Sequence, residues 1–337
     1  MSFLIQQTLL YAVPLMIVAL AGVFAERSGI INLALEGIMI FGAFIGVLFV
    51  RSMQSFDVFT EAARSGDWLT LQGLEILAML VSAAMGAVFS LLLSFASINL
   101  KADQTVGGTA LNMMAPALVL FLVRILANQN TLQMTTGDAA SWFMIKKSTF
   151  GIKKNVDIGF LGETFIHKVY LATYICILVF IVLSILLYKT RFGLRLCACG
   201  EHPQAADSVG INVYKMRYAG VLISGLLGGL GGIVYITAGV SEWKFENGVA
   251  GFGFLALAVM IFGQWKPTRI ALAALLFGFF RALGNVYTGF AFLKAMNLPS
   301  SVYNMLPYII SLIVLAFTSR KSRAPKAEGI PYDKGQR

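Results

Sequence analysis

Charge is what this chain has least of. Only 12% of its 337 residues are Asp, Glu, Lys or Arg, against about a quarter in soluble proteins. A water-soluble chain of this length cannot cover its surface with so few. The hydrophobic share is 58% and the mean hydropathy is +0.79, well beyond the ~45–50% apolar content of soluble domains. Soluble classes are thereby excluded. Two His and three Cys are too few for a disulfide scaffold or a rich metal centre. Cys197 and Cys199 form a C-x-C pair with only His202 near by, whereas zinc sites show two such pairs or adjacent His, so no metal is expected. The chain has no G-x-x-x-x-G-K-[ST] loop, so ATP chemistry is not expected from it. No His is placed to activate a nucleophile, which argues against a membrane hydrolase.

What remains is long apolar runs. Backbone groups inside a bilayer must be satisfied within helices or a closed barrel, and runs of about 20 apolar residues, rather than short alternating ones, select helices. Nine spans are expected: 6–24, 30–50, 74–98, 105–127, 169–188, 218–239, 249–263, 268–288 and 302–318. The fold expected is an all-α polytopic membrane protein. Residues 6–24 read as a retained span rather than a leader, because the first basic residue is Arg27 and a secretory signal begins with a positive region.

Between the fifth and sixth spans lies a polar, basic loop, 189–217. Its AADSVGI stretch has the character of a short docking helix closed by Gly210, and its small residues let another surface approach the backbone. A structured polar loop of this kind fits a socket for a separate driving subunit. Placing it inside puts the N-terminus outside and the C-terminus inside. The inner side then carries 15 of the 26 basic residues and the outer side 9, with Arg124 and Arg281 inside spans. That asymmetry obeys the positive-inside rule, although Lys146, Lys147, Lys153 and Lys154 fall in the outer loop 128–168. The net charge of +10 is accounted for by orientation and anionic lipid, with no nucleic acid. The chain divides into a transmembrane region, 1–320, and a basic cytoplasmic tail, 321–337.

LALEGIMIFG (33–42) in the second span returns as LALAVMIFG (255–263) in the seventh. The two lie five spans apart, an odd number, so their directions are opposed. This is the pattern of an inverted repeat, whose interface houses the substrate in many transporters; chance recurrence of Leu, Ala and Gly is the alternative.

Glu36 is the one acid expected inside a span, ~9 Å deep if helix begins at Ile30. A carboxylate there must be paired or face water; it either lines a path or caps local backbone with help from Asn32, and Arg281 is the deep cation that can partner it. Gln104 and Asn112 flank Gly107 and Gly108 at the start of the fourth span. They are candidates for contacting a neutral solute or for bonding between helices. In SEWKFENGVAGFGF (241–254), Trp243, Phe245, Phe252 and Phe254 offer flat rings and Glu246 and Asn247 offer polar groups, for a ligand or for an interfacial belt. GLLGGLGG (225–232) lies within a span and reads as close helix packing.

Four stretches, ERSGIINLALEG (26–37), DQTVGGTALN (103–112), TRFGLRLCACGEHPQAADSVGINVYKMRY (190–218) and SRAPKAEGIPY (322–332), resemble those of ABC transporter permeases, nearest the nucleoside and simple-sugar importers. The resemblance covers essentially the whole chain. It implies an importer of nucleoside-like solutes in a bacterial cytoplasmic membrane, with two permeases, usually two different chains. A tandem-cassette ATPase would bind the ATP and Mg, and an extracytoplasmic binding lipoprotein would deliver the solute. It also implies that Glu201, Ala205, Ala206, Asp207 and Gly210 contact the ATPase. Where such permeases often carry a basic residue, this chain has Phe252 between Gly251 and Gly253. Simple sugars, branched-chain amino acids and an ion-coupled mechanism stay open as alternatives.

Overall fold

The computed structural model describes residues 2–128, 131–133, 142–153, 158–239, 244–245, 248–286, scattered positions of 302–312, and 324–335. Helix α1 (Ser2–Arg27) is buried almost continuously from Leu10 to Glu26, as befits a helix apolar on every side. It is the centre of the fold. The chain then leaves helical geometry for residues 28–34 and re-enters it in α2 (Leu35–Met53). After the short surface helix α3 (Asp57–Ser65) come α4 (Trp68–Ser94), which ends in a π turn, and α5 (Gln104–Ala127). Asp103 starts α5 by accepting from the backbone N–H groups of Thr105 (2.8 Å) and Val106 (2.9 Å), the cap its sequence position favours.

One end of the molecule is closed by small elements: β1 (Leu132–Gln133), β2 (Met144–Ile145), α6 (Gly159–Phe165) and β3 (Val169–Tyr170). Strand β3 pairs antiparallel with β2. Gln6 fastens the start of α1 to this end, donating to the carbonyls of Glu163 and His167 at 2.6 Å each. The long helix α7 (Leu171–Lys189) leads to the opposite end, where α8 (Arg191–Glu201) and α9 (Pro203–Ser208) form a two-helix platform. Helix α10 (Val213–Val234) returns and ends in a second π turn. Then follow β4 (Lys244–Phe245), which pairs with β1, and helices α11 (Phe252–Phe262) and α12 (Pro267–Val286).

Seven of these helices are long and apolar enough to cross a membrane. The seventh expected span is instead the 11-residue α11, about 16 Å long, which cannot cross alone. The ninth, 302–318, falls mostly outside the described residues. Two expectations are corrected. Helix α4 begins at Trp68 rather than near 74, because WLTLQGLEILAML sustains apolar spacing through it; Glu75 is therefore buried inside a helix, and Glu36 is not the only such acid. The stretch from Ile30 is not helical either, so a helical rise does not measure the depth of Glu36.

The packing of α10 explains its glycines. Helix α10 lies against α1, α2 and α4 at once. A side chain at Gly229 would collide with the Ser82 carbonyl, and one at Gly86 with the Gly225 carbonyl. Ser82 Oγ sits 2.7 Å from the carbonyl oxygens of both Gly42 and Gly229. Small residues that let backbones touch, with a hydroxyl between them, are how helices associate without a hydrophobic drive.

Candidate functional site

The non-helical residues 28–34 leave backbone groups without helical partners, and buried amides supply them. Gln104 Oε1 accepts from the Ile31 N–H at 2.7 Å. Asn32 Oδ1 accepts from Ala34 N–H at 3.1 Å while its Nδ2 donates to Ser224 Oγ at 2.8 Å. Asn112 Oδ1 accepts from Gly37 N–H at 2.8 Å and its Nδ2 donates to the Leu33 carbonyl. Three residues singled out in the sequence thus converge on one buried turn. In this structure they hold backbone.

Glu36 lies in the first turn of α2 and reaches the first turn of α11. Its Oε1 accepts from Gly251 N–H at 2.9 Å and its Oε2 from Gly253 N–H at 2.6 Å. One carboxylate therefore faces the positive ends of two helices, and these are the two helices that carry the repeated LAL motif. The partner of Glu36 is the backbone of α11 rather than Arg281. Close approach requires glycine here: a side chain at Gly253 would overlap the Glu36 backbone.

Arg281, from α12, instead stands over Phe252, with its guanidinium carbon 5.9 Å from the ring centroid. Phe252 is buried, and it is flanked by Tyr235 (centroids 4.2 Å apart) and Tyr11 (6.0 Å). Asn285 donates to the Tyr11 hydroxyl. The GFGF segment lacks a cation of its own, and the tertiary fold brings one to it. Phe254 points away and is 53% exposed. Trp243, Glu246 and Asn247 lie outside the described residues. Tyr11, Tyr235 and Asn285 escaped the sequence reasoning, and only Tyr11, a hydroxyl in an aliphatic run, gave any signal.

The second constellation is the α8–α9 platform. Pro203 opens α9 at its first position and Gly210 closes it at φ +84°, the proline-first, glycine-last order that delimits helices. Ala206 faces inward at 4% exposure, against Cys199, Val213 and Tyr332. Val209 is 75% exposed, Ala205 and Gly210 are also exposed, and Glu201 and Asp207 are half-buried. Glu201 accepts from Arg27 at 3.2 Å, which ties the platform to the end of α1. Burial pushes the Cys199 thiol up to about 11, with Arg217 opposing the shift. The platform therefore presents one surface outward and keys the other into the helices.

Comparison with known proteins agrees with this architecture. The chain is 40% identical to the guanosine ABC transporter permease protein NupQ of Bacillus subtilis, over 100% of this chain and 98% of that one. It is 39% identical to the nucleoside ABC transporter permease protein NupC of Lactococcus lactis, again over 100% and 98%. A second protein of that organism, the nucleoside ABC transporter permease protein NupB, is 24% identical over 81% of this chain and 70% of its own length. No solved structure was found to match. Residues 4–315 match the family described as branched-chain amino acid transport system / permease component. A largely helical body with seven membrane-length apolar helices and a two-helix platform, together with a family match along nearly its whole length, makes this chain a member of that permease family.

Proposed function

We propose that the chain is one permease subunit of an ATP-driven nucleoside importer in a bacterial cytoplasmic membrane. Platform α8–α9 and the C-terminus face the cytoplasm, and the N-terminus faces outward. The observation that carries this reading is the platform itself: α9, bounded by Pro203 and Gly210, offers Ala205 and Val209 outward while Ala206 is keyed into α10. That arrangement suits a passive gate moved by a separate tandem-cassette ATPase. The full-length likeness to the guanosine and nucleoside permeases supports nucleosides as solute, released from an extracytoplasmic binding lipoprotein. The likeness to two distinct permeases of one organism supports a second, different permease chain as partner.

The path would run beside the junction of α2 and α11, where Glu36, Asn32, Gln104 and Asn112 fix the backbone and Phe252 offers a ring. Trp243, Glu246, Asn247 and Phe254 are assigned to the outer approach of the solute. An ion-coupled carrier is the weaker reading: the full-length relatives are ABC transporter permeases, and Glu36, the acid at this junction, is held by two amides.

The test is uptake of labelled guanosine and uridine by a deletion strain carrying this chain. Uptake should fail on ATP depletion and persist with an ionophore; the reverse would reject the proposal. Gly210→Trp adds bulk at an exposed position where an added Cβ would meet nothing within 4 Å, and Gly210→Ala carries the same strain at positive φ without that bulk. Uptake should fall with Gly210→Trp while the ATPase still turns over. Normal uptake in that variant would remove the docking role.

A further inference from the structure

The C-terminal segment 324–334 was expected only as a basic extension, yet it is folded onto the helices. Its contacts form an ordered series. The Ala327 N–H donates to the Gly200 carbonyl at the end of α8 (2.9 Å), and the Gly329 N–H donates to the Gly29 carbonyl (3.3 Å). The Ile330 carbonyl accepts from Arg217 Nη1 of α10 at 3.0 Å. Tyr332 is buried with Cys199, Ala206 and Val213, its ring edge-on to Tyr214 at 5.3 Å. Asp333 pairs with Lys101 at 2.8 Å, and Lys334 stands 4.0 Å from Asp207 of α9.

Two of these anchors matter together. Tyr332 grips the buried side of the platform, at Ala206. Gly329 lies on the turn 28–34, so close that a side chain there would come within 2.8 Å of Ile31 Cδ1. Between them Arg217, itself fully buried, fixes Ile330, and its guanidinium leaves no room at Gly29, whose hypothetical Cβ would be 2.9 Å from Nη2. Ile31 is bonded to Gln104, and the same turn carries Asn32 and leads into Glu36. Only two residues separate the anchors, and a chain that short and that well fastened transmits displacement rather than absorbing it.

We propose that residues 327–332 are the mechanical link that carries motion of the α9 platform to the buried turn 28–34, and hence to the junction of α2 and α11. The inference rests on the docking reading given above. It assigns Gly329, Ile330 and Tyr332 as positioning residues for transport, none of which touches solute.

The test uses the assembled importer in proteoliposomes. A flexible Gly-Ser-Gly-Ser insertion between Gly329 and Ile330 keeps both anchors and removes the stiffness between them. The link predicts that the ATPase still co-purifies and still hydrolyses ATP, while uptake falls about tenfold or more. Tyr332→Phe should keep coupling and Tyr332→Ala should lose it in the same split manner, which covers the case in which the insertion fails to assemble. Full uptake in the insertion variant would overturn the proposal. So would loss of ATPase binding in both the insertion and Tyr332→Ala, because the segment would then be part of the dock. An outward-face variant, Ala205→Arg, separates the two ideas: if it binds and couples normally, the docking reading itself has failed.

Discussion

Replacing Glu36 with Gln tests the junction of α2 and α11. The native carboxylate gives one oxygen to Gly251 N–H and the other to Gly253 N–H, at 2.9 and 2.6 Å. Glutamine keeps one acceptor but turns an NH2 group toward the second amide, so two donors face each other. A buried donor left without a partner costs about 1–3 kcal/mol, and the surviving bond loses its charge assistance, worth about 1 kcal/mol. The favourable field of the α11 N-terminus, roughly 0.3–2 kcal/mol, is also forfeited. Against these stands the relief of burying a neutral amide instead of an ion. A net loss of about 1–3 kcal/mol follows, roughly a 5- to 150-fold change in the folded ratio. Thermal unfolding of the detergent-solubilised importer should register it, with nucleoside uptake falling in parallel. Glu36→Asp, one methylene shorter, should reach only one amide and lie between. If Gln matched the native protein while Asp were the worse of the two, side-chain length rather than charge would hold the junction, and the two-helix cap would be wrong.

Three further outcomes can be checked. Gly229→Ala should destabilise the protein by about 1–3 kcal/mol or more, the cost of overpacking, since its Cβ would overlap the Ser82 carbonyl; an unchanged melting temperature would dispute the α4–α10 contact. Burial pushes the Glu328 carboxyl up to about 7 from an ordinary 4.5, with Arg27 opposing. The folded tail then binds more protons than the unfolded one between those values, so its docking should tighten as pH falls through 7 and loosen above it; hydrogen exchange at 327–332 with the opposite trend would refute this. Ala205→Cys should react readily with a membrane-impermeant maleimide in inside-out vesicles stripped of the ATPase, be protected when the ATPase is bound, and not react in intact cells. Native Cys199, buried and almost entirely thiol at neutral pH, should react slowly in both.

Much of this molecule was legible in its composition and local patterns. Apolar run lengths gave seven of the crossing helices, because in a bilayer each helix must satisfy its own backbone within one contiguous segment. Gly210 closed the short helix expected at AADSVGI, and GLLGGLGG announced a close helix contact, because both follow from backbone sterics acting over a few residues. The LAL repeat pointed to α2 and α11. What those signals left open was partnership. Asn32, Gln104 and Asn112 are polar residues in apolar runs whether they await a solute or hold a carbonyl, and only the fold shows them gathered on the turn 28–34. Glu36 finds its amides 215 residues away, and Arg281 reaches Phe252 from another helix. The tail reads in sequence as a basic cytoplasmic extension, and only the fold shows Tyr332 and Gly329 anchoring it. Short-range rules fix where helices begin and end; which buried polar group meets which is settled only when distant segments close the last unsatisfied bonds in a medium that offers no water to do it.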